Sequence, residues 1–513
     1  MFTKPETPKI DRSLGPDCDP RPRALVIGAG FGGLAAAIRL GARGYRVTVL
    51  ERLDQPGGRA RVYHQDGYSF DAGPTIVTAP YLFEELWRLA GRRLEDDVTL
   101  KLMDPFYRIR FDDGTVFDAC GDEERMRAQI RALSPEDEAG YDRYLAASRR
   151  AFEIGFQGMG QEPFNTLPSM LRRLPDVLRL HGHHSVHWLV AKHFKHPKLR
   201  VVFSFHPLLI GGNPFAVTSI YSLISHLEKQ WGVWSAVGGT GALVRGMVGL
   251  IEGQGGEVRL GTDVAEITTE ARRATGVRLA SGEEITAPVT VCNADVLWTY
   301  ENLLPGRKSL GAWRNLVPPQ HSMGLYVWYF GTDRQWPDVA HHSILLGPRY
   351  KELLRDIFRR KRLADDFSLY LHRPTATDPA LAPDGGDAFY ALCPVPHLGS
   401  GTDWATEGPK RRDAIVKRLE ETVLPGLSRH IVTERAMDPT HFRDELNAIQ
   451  GAGFGPEPLL LQSAWFRAHN SSEEVDGLWM VGAGTHPGAG LPGVLTSAQI
   501  VDDLIPDAEM AGG

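Results

Sequence analysis

A chain of 513 residues is too long for one ordinary core and long enough for two or three domains around a cofactor or ligand. Its 42% hydrophobic and 23% charged residues exclude a disordered chain and a membrane channel. The balance of 57 Lys plus Arg against 63 Asp plus Glu, a net charge of −6, argues against binding a polyanion through bulk positive charge, so no nucleic-acid partner is expected.

Residues 1–20 are polar and proline-rich, lack the apolar run of a signal peptide, and read as a disordered leader. Cys18, Cys120, Cys292 and Cys393 include no CxxC pair, so a disulfide framework or zinc ribbon is not expected and a reducing compartment is the default. No stretch reaches the roughly 18 uninterrupted apolar residues of a spanning helix. The nearest, Val201 to Ile224, is interrupted by His206-Pro207 and by Gly211-Gly212-Asn213-Pro214.

Organisation begins at Arg23. The apolar run Ala24 to Ile27 predicts a strand, Gly28-Ala29-Gly30-Phe31-Gly32-Gly33 a tight turn, and Leu34 to Leu40 a helix. Tyr45 to Leu50 follows as a second strand ending in Glu51, an acid placed where a ribose hydroxyl would need one. In such a unit Gly28 permits the turn, Gly30 lets backbone amides approach a pyrophosphate, and Gly33 lets the helix pack against the strand. The helix N-terminus then faces the phosphates with unpaired N–H groups and its dipole.

The same fingerprint serves NAD and FAD. Arg52-Leu53-Asp54-Gln55-Pro56-Gly57-Gly58-Arg59 comes next. With it the chain resembles the flavoprotein group of amine oxidases, protoporphyrinogen oxidases and carotenoid desaturases, in which a Gly-Gly-Arg turn lies against FAD. Asp71-Ala72-Gly73-Pro74-Thr75 resembles the stretch that passes near the flavin ring in that group. A hairpin is predicted from Tyr107–Phe111 and Thr115–Phe117 through Asp112-Asp113-Gly114, its two acids being solvated turn residues rather than an acid/base pair.

From Leu171 to Arg200 seven Lys or Arg residues (Arg172, Arg173, Arg179, Lys192, Lys195, Lys198, Arg200) face one acid, Asp176, with apolar residues and Trp188 interleaved. This basic, amphipathic segment reads either as a surface docking on anionic lipid or as a solvated helical face. Lys351 to Leu363, with Leu353, Leu354, Ile357 and Phe358 in one helical stripe, is a smaller case of the same pattern. His181, His183, His184, His187, His193 and His196 crowd the first segment, but with Asp176 the only acid nearby no metal site is assigned. Neither a nucleophile elbow nor a Walker loop is present, which removes hydrolytic and nucleotide-triphosphate chemistry.

Phe205 to Phe215 and Thr218 to Glu228 closely resemble the corresponding segment of bacterial phytoene desaturases, and the resemblance continues through Gly238-Gly239-Thr240 and Glu252 to Gly256. Segments at Val258–Leu260, Val264–Ile267, Val277–Leu279 and Ile285 predict a small sheet ending at Val289 to Ala294. Near the C-terminus, strand Gly477–Val481 leads into Gly482-Ala483-Gly484-Thr485-His486-Pro487-Gly488-Ala489-Gly490-Leu491-Pro492-Gly493-Val494 and a helix. This is nearly the signature of the phytoene desaturase type of carotenoid desaturase, the family that the chain resembles from about Arg23 to Ile505.

The resemblance implies an α/β fold: a discontinuous Rossmann-like FAD-binding domain (21–100, 235–300, 475–508) with an inserted mixed α+β substrate or lid domain (101–234, which also carries the membrane-docking segment, and 301–474) and a tail at 509–513. It implies FAD held by Gly28, Gly30, Phe31, Gly32, Gly33, Glu51, Gly57, Gly58, Arg59, Gly482, Gly484, Gly493 and Val494. The implied reaction is stepwise dehydrogenation of 15-cis-phytoene and partly desaturated carotenoids towards neurosporene or lycopene. A hydrocarbon has no carbonyl to polarise, so no triad is required; Asp71 and His486 are candidate proton acceptors, with a structural role the favoured reading for both. One complete dinucleotide fingerprint leaves no evident nicotinamide site, since Gly451–Gly455 lacks a preceding strand, and oxygen or a membrane quinone is the expected electron acceptor. The expected location is peripheral, at the cytoplasmic face of a membrane. A carotenoid isomerase or saturase-like flavoprotein, a non-enzymatic isoprenoid-binding module of the same fold, and a flavin amine oxidase are the alternatives.

Overall fold

The computed structural model describes residues 19–304, 306 and 319–511; residues 1–18 of the expected leader and 512–513 of the expected tail lie outside these. Strand Arg23–Ile27 pairs in parallel with Arg46–Leu50 on one side and Val289–Cys292 on the other. Glu257–Arg259 and Leu478–Met480 complete a five-stranded sheet at its two edges. The strands read as near-continuous apolar runs because both faces are covered. Ala24 and Val26 enter one core with Leu34 and Ile38 of helix Phe31–Ala42, Leu243 and Met247 of helix Thr240–Gly253, and Leu495 of helix Leu491–Leu504. Leu25 and Ile27 enter another, with Val264, Ile267 and Val277 of a three-stranded antiparallel sheet.

The small sheet expected over 258–294 is therefore narrower, made of Val264–Glu270, Arg273–Leu279 and Glu284–Thr286. Val258 and Val289–Cys292 belong instead to the parallel sheet, where Val258 aligns with Val49 and Val289 with Ala24. Local alternation cannot distinguish these assignments, since only the crossover connections decide which neighbour a strand meets.

The two inserted segments form one body rather than two. A seven-stranded mixed sheet runs in the order Ile431–Met437, Gly324–Thr332, Asp387–Val395, Leu369–His372, His342–Leu345, Tyr107–Arg110, Val116–Ala119. The predicted hairpin from the first insertion thus extends a sheet built by the second, through a parallel pairing of Tyr107–Arg110 with His342–Leu345. Alternation along Gly324–Thr332 sends Trp328 and Phe330 to a core beneath helix Trp404–Thr422, and Val327 and Tyr329 to the opposite, inner face. The first insertion leaves and rejoins the nucleotide domain through a two-stranded ribbon, Leu100–Leu102 against Trp234–Ala236, close to the expected boundaries at 100 and 235. Among the described residues no helix is long and apolar enough to cross a membrane.

Candidate active site

The order of the parallel sheet reverses between Arg23–Ile27 and Val289–Cys292, and the crevice at the C-terminal ends of such strands is where an open α/β sheet takes its ligand. Three chain segments meet there: the Gly28–Gly33 turn, Asn293, and Gly482 just past strand Leu478–Met480. Together they open one wall of a cavity of about 520 Å³.

Gly28 has φ +92° and its N–H donates to Leu50 O at 2.8 Å, so the turn is tied to the second strand. A Cβ on Gly33 would lie 2.1 Å from Gly28 O, the close helix-to-turn approach its position predicts. Gly30 and Gly32 line the cavity and are hemmed by Asn293, whose side chain would stand 2.8 and 2.7 Å from an added Cβ. Glu51 is buried, its Oε2 accepting from Ala29 N at 2.7 Å and its Oε1 from Leu53 N at 2.9 Å. The Gly57-Gly58-Arg59 turn is not a surface turn, because Gly57 bridges to Gly30 and donates to Ala29 O.

These residues fit FAD on the structure's own terms. Arg59 lines the cavity with its Nε buried and without a hydrogen-bond partner, and burial lowers its pKa while Asp295 opposes that shift. A guanidinium N–H left unpaired beside glycine amides and a helix N-terminus is a donor set matched to a pyrophosphate. Phe31, Gly32, Gly57, Gly58, Gly482, Gly493 and Val494 all line the same cavity. Gly33 and Gly484 do not: both act by packing, Gly484 because a Cβ there would meet Val296 Cγ2 at 2.9 Å.

The two titratable candidates separate. Asp71 lies outside the cavity wall and caps helix Thr240–Gly253, accepting from Thr240 N at 2.8 Å. Burial pushes its pKa up to about 6 against the pull of the backbone donors and of Arg245. Its place in the structure is that of a helix cap, the structural role favoured for it. His486 lines the cavity; its Nε2 meets Met159 O at 3.1 Å, which fixes the proton on that nitrogen, and its Nδ1 is buried without a partner. Burial lowers its pKa to about 4, so the ring is neutral at pH 7.

Beyond Gly73 to Thr75 the cavity becomes a hydrocarbon-lined lobe, walled by Phe156, Leu208 and Leu227 on one side and Leu325, Val327 and Ile344 of the seven-stranded sheet on the other. The stripe Leu353, Leu354, Ile357, Phe358, expected as a second docking patch, is buried, and its first three members line this lobe. The basic segment around Leu171, expected either to dock on lipid or to be a solvated face, differs from expectation in another way. Arg173 is paired with Glu162 and Asp176, Lys195 with Glu136, and Lys198 with Asp113, which accounts for much of the basic charge. Helix Leu167–Arg179 instead exposes Leu167, Leu171, Leu174 and Leu178, each 45–58% accessible, along one stripe, while Met170 and Val177 face the cavity. The crowded histidines lie outside the cavity wall; His184 stacks on Trp188 at 3.6 Å and His187 meets Ser204.

Sequence reading missed Asn293, whose signal was its place directly after a strand, and a polar group formed by Thr75, Tyr370, Tyr390 and three histidines from separate strands and loops.

Residues 31–501 match the family described as flavin containing amine oxidoreductase. The phytoene desaturase (neurosporene-forming) of Rhodobacter capsulatus is 48% identical over 95% of this chain and 94% of its own length. The phytoene desaturase (lycopene-forming) of Pseudescherichia vulneris is 49% identical over 94% of this chain and 99% of its own. Among solved structures, cyclohexylamine oxidase from Brevibacterium oxydans superposes with a TM-score of 0.60 at 16% identity, covering 96% of this chain and 99% of that one. An oxidoreductase from Methanosarcina mazei gives 0.59 at 16% identity, covering 93% and 98%.

Proposed function

Because the chain belongs to the phytoene desaturases within the flavin-containing amine oxidoreductase family and takes FAD as its cofactor, we propose that it introduces double bonds stepwise into phytoene, yielding neurosporene or lycopene. The observation that carries this reading is the continuity of one cavity from the glycine cradle to a lobe with hydrocarbon walls. FAD, when bound, supplies the acceptor for the hydride that leaves the substrate.

The chain's residues supply the rest. Helix-terminal amides and Arg59 would hold the phosphates of FAD, and Glu51 its ribose. Apolar walls exclude water and align the polyene, so that allylic charge developing on the substrate is not quenched. His486 lines the cavity as a neutral ring. The likeness to amine oxidases is one of fold alone, and the lobe's lining suits a hydrocarbon.

Moving about 40 carbons from water into an apolar site is favourable by roughly 0.8 kcal/mol each, on the order of 30 kcal/mol in all, so delivery through water is negligible. Transfer from a bilayer is nearly neutral. The exposed leucine stripe on a helix whose other side lines the cavity supports peripheral docking at the cytoplasmic face of a membrane, with the substrate drawn in past that helix. Oxygen or a membrane quinone would serve as the final electron acceptor.

The test is purified, flavin-loaded protein with phytoene in anionic liposomes. Oxygen or quinone should support progressive visible polyene absorption. Isomerisation without added conjugation would identify an isomerase, and no chemical change would favour a binding module. Strict dependence on NAD or NADP would overturn the acceptor assignment.

A further inference from the structure

A cavity built for a hydrocarbon carries, on one wall, a buried polar file that leads away from it. Thr75, Tyr370 and Tyr390 line the cavity beside the stretch that resembles the flavin-facing segment, and Thr75 Oγ1 lies 3.1 Å from Tyr370 OH and 2.9 Å from Tyr390 OH. Tyr370 OH meets His342 Nδ1 at 2.7 Å. Behind them His372 Nε2 and His341 Nε2 are 3.0 Å apart, and His341 Nδ1 meets Thr377 Oγ1 at 2.5 Å. Thr377 is half-buried and follows the exposed Ala376, so the file ends at the surface.

The single break lies within the histidines. His342 Nε2 and His372 Nδ1 are buried with no partner, yet one nitrogen from each of the three rings falls within 4.8 Å of the others. The His342 and His372 rings stack with centroids 5.4 Å apart, and a water bridging their two unpaired nitrogens would complete the hydrogen-bonded chain. A cation is the other filler. It would lack compensation, because among the described residues no carboxylate is recorded against the rings, and the charge of Arg373, itself paired with Asp387, acts on His341.

We infer that the file Tyr370, His342, His372, His341, Thr377 conducts the proton of each dehydrogenation from the cavity to the surface. The inference rests on the desaturase reading. In each step one substrate hydrogen leaves its carbon with the electron pair of the C–H bond, as the hydride for which bound FAD would be the acceptor. The neighbouring C–H breaks the other way: its electrons form the new C=C bond, its proton passes to the Tyr370 hydroxyl, and that hydroxyl's own proton moves to His342. A neutral imidazole accepts at one nitrogen and donates at the other, so the displacement continues through the bridging water and the His372–His341 pair to Thr377. All three rings are held neutral by burial, His341 down to about 3, so they pass the charge on without storing it.

The test uses flavin-loaded protein with phytoene liposomes. Tyr370→Phe and His342→Gln should lower kcat by on the order of 100-fold while KM for phytoene, flavin content and unfolding temperature stay unchanged. His372→Gly should be equally slow and be restored by imidazole. It should not be restored by 1-methylimidazole, which has the same ring with one nitrogen blocked, although thermal shift shows both to bind the vacated space. Restoration by both, or full activity of Tyr370→Phe, would reduce the file to packing and overturn the inference. One equivalent of metal in the wild-type protein, lost in His372→Gly, would overturn it in favour of a metal site. Absence of any product from the wild type would instead remove the desaturase reading on which it stands.

Discussion

At Gly30 an added Cβ would stand 2.8 Å from Asn293 Nδ2, so that side chain would have to move, on the wall that faces the cavity. Gly30→Val should therefore purify without flavin absorbance, both by displacing Asn293 and by filling the approach to the phosphates. Glu51 fails more gently. Both its oxygens accept backbone N–H groups, and Glu51→Gln must turn an amide NH₂ towards one of them. Loss of one charge-assisted bond should weaken flavin affinity by about tenfold, some 1.4 kcal/mol, measurable by fluorescence titration. Asp71 gives a pH signature. Its folded pKa, about 6, lies above the ordinary 3.8, so between those values the native state holds more protons than the unfolded chain. Its contribution to stability must then fall as pH rises through that window and stay flat above it. Asp71→Asn cannot titrate. The stability difference between wild type and variant, read by urea unfolding, should shift by about 2–3 kcal/mol in favour of the variant from pH 4 to pH 7. An unchanged difference would show that Asp71 is not titrating in its cap.

In the basic segment 171–200, Arg173 on helix Leu167–Arg179 is held in ion pairs, while beyond that helix Lys192 lies over the Trp188 ring and Lys195 is paired with Glu136. What faces outward is the leucine stripe, each side chain gaining about 1 kcal/mol if it enters lipid. Leu171→Glu with Leu178→Glu should therefore abolish flotation with anionic liposomes while leaving flavin content intact. Charge reversal at Arg172, Arg173, Lys192 and Lys195 should reduce flotation less. If the leucine variant floats as the wild type does, docking does not use this helix.

At the scale of the whole molecule, the candidate cofactor cradle draws on chain segments far apart in sequence, Gly28 to Gly33, Asn293 and Gly482 to Val494. Binding there ties the first, middle and last parts of the chain into one unit. FAD in about 1,000-fold excess over its Kd should add about 4 kcal/mol to the stability of the whole fold, seen as a single cooperative upward shift in Tm. In Gly30→Val the same addition should leave Tm unchanged. Two separate transitions in the flavin-loaded wild type would show that the inserted body does not share this linkage.

Local chemistry along the chain sets the short-range units: the strand, glycine turn and helix at Arg23 to Leu40, the hairpin through Asp112-Asp113-Gly114, and the C-terminal turn into its helix. Those are set by φ, by hydrophobic period and by turn chemistry acting over a few residues, and they carried the family resemblance and the cofactor with them. Tertiary structure alone decided that Val289–Cys292 is a central strand, that the two insertions share one sheet, and that Asp71 caps a helix while His486 faces the cavity. It also gathered Tyr370, His342 and His372 behind Thr75, and turned four leucines outward where charge had seemed the message. The reason is physical: strand partners and the surroundings of a side chain depend on which distant segments bury their surface together, and that long-range choice leaves no periodic mark in the chain.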